Sequence, residues 1–251
     1  HLADGQGLCG EVIPMLKKVI RLNLDDLLLY LGIEGGVFLL TQIIIGAVMV
    51  VAKPMDGILI SGITLPVIAG ILALLSGVVH VTVTFEQALC FGQTRRRALA
   101  LTMGVMTFEG VCALGAAALL ALMERYLGPP IWASLAGRGH WVVDYPGDWG
   151  VLEDCLVLNS FQPDWRLYPV ILLIGLGGGL VGGALIQRFG TKGAWALWGV
   201  WMAGCFVPEM LGREVFAIGD WNQYTIGAGV VLGIGCLAWS LWSLFHAVVK
   251  G

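Results

Sequence analysis

The sequence predicts an all-α membrane protein, a bundle of six transmembrane helices with both termini in the cytoplasm. Three observations lead there. Of 251 residues, 58% are hydrophobic and 12% charged, with a mean hydropathy of +0.86; a soluble domain carries roughly 25% charged residues. Six long runs are almost free of charge, and the cations gather in alternate connections between them.

A helix needs about 20 mostly apolar residues to cross the hydrocarbon core of a bilayer. The runs that meet this need cover 27–52, 58–81, 98–122, 168–186, 194–207 and 224–249. The fifth is the shortest, because Pro208 and Glu209 close it before or near Leu211. Each run is continuous rather than alternating, which argues for helices and against a membrane β-barrel.

Lysine and arginine favour the cytoplasmic ends of membrane helices. Nine of them (Lys17, Lys18, Arg21, Arg95, Arg96, Arg97, Arg188, Lys192 and Lys250) fall before run one, between two and three, between four and five, and after six. The opposite connections hold five, Lys53, Arg125, Arg138, Arg166 and Arg213, together with ten acids. The expected location is therefore the cell membrane, crossed many times. A net charge of -3 without a basic face gives no reason to expect a nucleic-acid partner.

Residues 1–26 read as a cytoplasmic segment ahead of one transmembrane domain spanning 27–251. Within it Leu16, Val19, Ile20, Leu22 and Leu24 form the apolar side of an interfacial helix, with Lys17 and Lys18 toward anionic headgroups. Residues 1–14 precede Met15 and read as upstream or appended sequence, without the apolar core and cleavage site of a secretory signal. The longest connection, 124–167, carries Trp132, Trp141, Trp149 and Trp165 and is expected to fold back on the outer headgroups as a lid or cap.

Several chemistries find no support. The six cysteines form no C-x-x-C pair, so neither a redox motif nor a zinc knuckle is indicated. A bridge between Cys155 and Cys205 stays open, and Cys112 and Cys236 read as apolar packing. His80 and His246 lie near the ends of their runs rather than paired at mid-depth, which argues against haem ligation. There is no hydrolase signature and no G-x-x-x-x-G-K-[ST] loop, so the chain has no ATP-binding motif of its own and is not read as an enzyme.

Polar residues inside the runs are the site candidates. Glu34 and Glu109 lie two to three turns into runs one and three, where a carboxylate costs several kcal/mol unless it meets protein, water or a cation. Gln42 follows Glu34 by two turns, offset by about 80° on the helix. No lysine or arginine lies at similar depth, so water contact or a protonated carboxyl fits better than a salt bridge. Each also fits an interhelical hydrogen bond that only holds the bundle. Gly175, Gly179 and Gly183 repeat at intervals of four and allow close helix packing, within the bundle or with a second copy.

The connection between runs two and three reads TFEQALCFGQTRRRAL. An apolar residue, glycine, Ser/Thr and then basic residues, here Phe91, Gly92, Thr94, Arg95 and Arg96, resemble the coupling element in permeases of type-two ATP-binding-cassette exporters, the class of small bacitracin and lantibiotic exporters of bacteria. The topological likeness covers the whole chain and the motif only 84–99. The resemblance implies a short coupling helix docked on a separate ATPase, which holds Mg-ATP, and a second permease copy or paralogue. It implies export of a peptide, drug or other amphipathic compound, with Glu34, Gln42 and Glu109 as translocation candidates. Phe85, Leu89 and Phe91 would supply the apolar contact, Gly92 would end the helix, and Thr94 would cap the next one. Two further classes stay open. A proton-coupled secondary transporter would use Glu34 or Glu109, although no inverted repeat is visible. A membrane-embedded substrate-binding module would share six spans without a coupling helix.

Overall fold

A computed structural model describes residues 21, 24–144, 154–161, 165–210 and 221–246, with backbone alone at 201, 203–210, 221–230 and 232. The amphipathic lead-in before Leu24 lies outside the described residues, as do Trp149 and the segment 211–220. The chain is mostly helical, 82%, and four of its helices are long and apolar enough to cross a membrane.

Helix α1 covers Leu24–Ala52, with Asp25 and Asp26 in the first turn, where carboxylates favour the positive end of the helix dipole. It stops at Lys53, which takes a left-handed φ of 46°, followed by Pro54, which cannot continue the helix. Strand β1, Asp56–Leu59, comes next. Helix α2, Ser61–Val79, passes through a π-helical turn at His80–Thr84 into α3, Phe85–Cys90. Together they form one apolar rod of 30 residues.

Helix α4 runs from Arg95 to Ala136, 42 residues, about 63 Å at the usual rise. It thus continues past residue 122, where the sequence places the end of the third span, through Pro129 and Pro130. Burial outweighs the local preference of proline: the extra turns place Trp132, Ala133 and Ala136 in a core with Met49, Leu59, Leu156 and Leu158. Trp132, expected to face the headgroups in an outer loop, is 3% exposed. Gly137, with φ of 73°, ends α4; its amide bonds the Ser134 carbonyl and the Arg138 amide that of Ala133.

The expected loop 124–167 therefore begins as helix, and it goes on as sheet. Strands β2, His140–Val143, and β3, Cys155–Ser160, join β1 in a three-stranded parallel sheet of order β1-β3-β2. Asp56 pairs with Val157 and His140 with Cys155. An all-α reading lacks this element. The strands are too short to show alternation, and Cys155–Leu158, buried on both faces, reads as a plain apolar run. Cys155, in the central strand, is a free thiol among the described residues, and the Cys205 side chain lies outside them.

Helix α5 covers Leu167–Phe189, α6 Thr191–Met210 and α7 Trp221–Phe245. The fifth apolar run is thus helical through Pro208 and Glu209. The chain divides into two compact units, 1–73 with 107–174, and 74–106 with 175–251. The first holds the sheet and a core of Leu65, Ala69, Ala113, Leu114 and Ala117, against which Phe38 and Ile171 pack. The second centres on Val81, Phe85, Ala98, Leu99, Met106, Leu180, Ala184 and Leu244.

In that second unit the glycines of α5 let it meet α2. A Cβ on Gly179 would lie 2.7 Å from the Gly77 Cα and from the Leu74 carbonyl oxygen, and one on Gly183 would lie 2.5 Å from the Val81 Cβ. Gly175 is buried in the same helix. These glycines serve packing within the chain. Gly179→Leu should therefore force α2 and α5 apart, costing about 1–3 kcal/mol, read as a lower melting temperature in detergent; the same change at Gly199, whose Cβ would meet nothing within 4 Å, should leave it unchanged.

Candidate functional site

Two places hold most of the site residues expected from the sequence: the turn between α3 and α4, and the buried face shared by α1 and α4. The turn is built by its sequence. Gly92 adopts φ of 76°, its amide bonds the Leu89 carbonyl at 3.0 Å, and the Gln93 amide bonds that of Ala88 at 3.1 Å. This is a glycine-terminated helix end. The Thr94 carbonyl accepts the Ala98 amide at 2.9 Å and so opens α4, while its hydroxyl caps nothing among the described residues.

The turn splits the sequence-predicted docking residues. Phe85 is 1% exposed in the core of its unit, and Leu89 packs half-buried against the same core, so α3 is the end of a continuous rod and not a separate coupling helix. Phe91 is 85% exposed. Arg95 donates from Nη1 to the Phe245 carbonyl at 2.7 Å, tying the start of α4 to the end of α7. Arg96 is exposed and has no hydrogen-bond or ion-pair partner among the described residues. Of the seven residues expected at this site, Phe91 and Arg96 thus offer side chains outward and Phe85, Leu89 and Arg95 fix the turn to the bundle. Upstream, His80 is buried, its Nδ1 2.9 Å from the Thr84 hydroxyl across the π-helical turn.

The second place follows from helical spacing. On α1, Glu34, Phe38, Gln42, Ile45 and Met49 line the inward face, while most of the helix is exposed. On α4, Ala98, Thr102, Val105, Glu109, Ala113, Ala117, Ala121, Glu124, Gly128, Trp132 and Ala136 are all buried, at spacings of three and four. Glu109 and Glu124 belong to one stripe.

Gln42 does not join Glu34. Its Nε2 donates to Glu124 Oε1 at 2.9 Å, while the Ser61 amide donates to Glu124 Oε2 at 2.8 Å. Glu124 thereby satisfies an amide in the first turn of α2, where the helix leaves donors without acceptors and its dipole favours negative charge. Sequence reasoning left Glu124 in the outer loop; the signal that finds it is the unbroken stripe through residue 122. Glu34 is fully buried, and neither carboxyl oxygen meets a hydrogen-bond partner among the described residues. Glu109 is 2% exposed.

Arg125 links this face to the sheet. Its Nη2 lies 3.7 Å from Asp144 Oδ2, and Asp144 accepts from both the amide and the hydroxyl of Ser160. Desolvation alone would raise the Asp144 carboxyl, but these two hydrogen bonds and the Arg125 charge prevail and hold it below the usual range. The link is therefore intact at neutral pH and loosens only as acid protonates Asp144.

Comparison with protein-family models, curated proteins and solved structures finds no match. Chemistry and geometry alone must carry the reading. Glu124→Ala would strip the cap from α2 and leave the half-buried Gln42 without its 2.9 Å acceptor, a loss of about 1–3 kcal/mol. The expected outcome is a clearly lower melting temperature, with Glu124→Asp recovering part of it; equal melting of wild type and Glu124→Ala would show that the cap holds nothing.

Proposed function

We propose that this chain is the permease subunit of an ATP-driven exporter, spanning the cell membrane six times with both ends in the cytoplasm and worked by a separate ATPase. The observation that carries the reading is Phe91, a large aromatic side chain left 85% exposed on a glycine-terminated turn beside the exposed Arg96, which has no partner among the described residues. An exposed aromatic next to unspent charge suits a protein groove. The ATPase subunit, loaded with Mg-ATP, would seat this turn. Closure of the ATPases around nucleotide would then push on α4, whose continuous hydrogen-bonded backbone carries the displacement to the face holding Glu109 and Glu124. Two permease copies, or this chain and a paralogue, would enclose the path for a peptide, drug or other amphipathic compound.

Glu34 favours a second reading. A buried carboxyl with no hydrogen-bond partner among the described residues is the feature expected of a proton-coupled secondary transporter. The two readings part at the turn. Phe91→Glu with Arg96→Glu should abolish substrate stimulation of ATP hydrolysis, a loss on the order of tenfold or more, while insertion and melting stay unchanged; Glu34→Gln should leave ATPase binding intact. ATP-independent transport that Glu34→Gln abolishes and the turn variant spares would favour the secondary transporter.

A further inference from the structure

Arg188, near the end of α5, lies with its guanidinium carbon 5.7 Å from the rings of Phe189 and Trp239 and 5.9 Å from that of Trp242. Those rings are its only partners among the described residues, so its N–H donors are unspent. Lys192, in the first turn of α6, likewise has no partner among the described residues. The two cations are close by construction: α5 and α6 meet at Gly190, with φ of 60°, and a Cβ on Gly193 would lie 2.4 Å from the Leu185 carbonyl oxygen. The start of α6 therefore presses against the last turn of α5. In that start the Gly193 amide bonds the Gly190 carbonyl at 3.0 Å, while the amides of Thr191 and Lys192 have no acceptor among the described residues.

The surface is layered away from this point. Trp195 and Trp198, 67% and 53% exposed, follow Lys192 along α6, and Val200, 71% exposed, follows them. Along α7, counting back from Trp242, come Trp239 and then Ile234 and Val231, 63% and 71% exposed. Cation, indole and aliphatic surface thus succeed one another along α6, and indole and aliphatic surface along α7, where Arg188 of α5 lies against the indoles; this is the order of phosphate, glycerol region and acyl chain in a phospholipid. A docked protein would have no need of the aliphatic layer.

We infer that Arg188, Lys192 and the first turn of α6 bind the phosphate of an anionic phospholipid, with Trp239 and Trp242 against its glycerol region. A guanidinium and helix amides both suit a phosphate, and aromatic faces hold the guanidinium at headgroup depth. This site is independent of ATPase coupling, since it uses none of the residues of the turn.

The test is lipid retention by the delipidated full chain in mild detergent, offered equal amounts of phosphatidylglycerol and phosphatidylcholine and read by native mass spectrometry. Wild type and Lys53→Gln should retain phosphatidylglycerol preferentially, and Arg188→Gln with Lys192→Gln should lose that preference by about tenfold. Tryptophan emission of the wild type should also be quenched more by brominated phosphatidylglycerol than by brominated phosphatidylcholine, which keeps the test open if the double variant fails to fold. Equal retention of the two lipids, or an unchanged preference in a folded double variant, would overturn the assignment. Displacement of the lipid by inorganic phosphate would overturn it in favour of a free phosphate ligand, and displacement by an acidic peptide in favour of a protein partner.

Discussion

The buried stripe of α4 is the constraint from which the rest of the chain follows. A helix of 42 residues keeps one face inside from Ala98 to Ala136, and that face is mostly small: alanines where neighbouring helices come close, one tryptophan where the core widens. Both compact units draw part of their core from it, Ala98, Leu99 and Met106 for one and Ala113, Leu114, Ala117 and Trp132 for the other. Without water in a bilayer to drive apolar helices together, close packing of small residues and a few hydrogen bonds hold such helices. The α4 stripe supplies both, through its alanines and through Glu124.

The polar residues on this face divide by what they meet. Glu124 is spent on a helix terminus and on Gln42, and through its neighbour Arg125 the helices are fixed to the small sheet by way of Asp144 and Ser160. That cluster is architecture. Glu34 differs in kind: it is buried with no hydrogen bond among the described residues to account for it, and a group left so in an apolar helix is where function is to be sought. The turn at Phe91 differs again, since there an apolar side chain is exposed where burial would be favourable.

Much of this was legible in the sequence because hydropathy and charge act over whole segments. The helices at each apolar run, the turn set by Gly92 and the close approach at Gly179 all follow from residue type and spacing. The end of α4 was hidden because Pro129 and Pro130 carry a strong local signal for a break, whereas the burial of Trp132 that overrides it is a tertiary fact. The stripe of Ala113, Ala117, Ala121, Glu124 and Gly128 was nevertheless there to be followed, and it would have moved Glu124 from loop to helix. The parallel sheet had no local signature, since β1 and β3 meet only through residues about a hundred positions apart. The burial of Phe85 was hidden for a similar reason: a phenylalanine on a short amphipathic piece points to a partner or to its own bundle, and only the continuous rod of α2 and α3 decides between them.

The central claim is that the turn at Phe91 is a contact with a separate ATPase. Its most direct test is a photo-crosslinking side chain placed at position 91 of the full-length chain in native membranes, with the adducts identified by mass spectrometry. The account expects an adduct with a subunit carrying a P-loop, and none when the same group is placed at Phe161, which is also exposed but lies beyond the sheet. An inserted chain that yields no ATPase adduct from position 91 would contradict it.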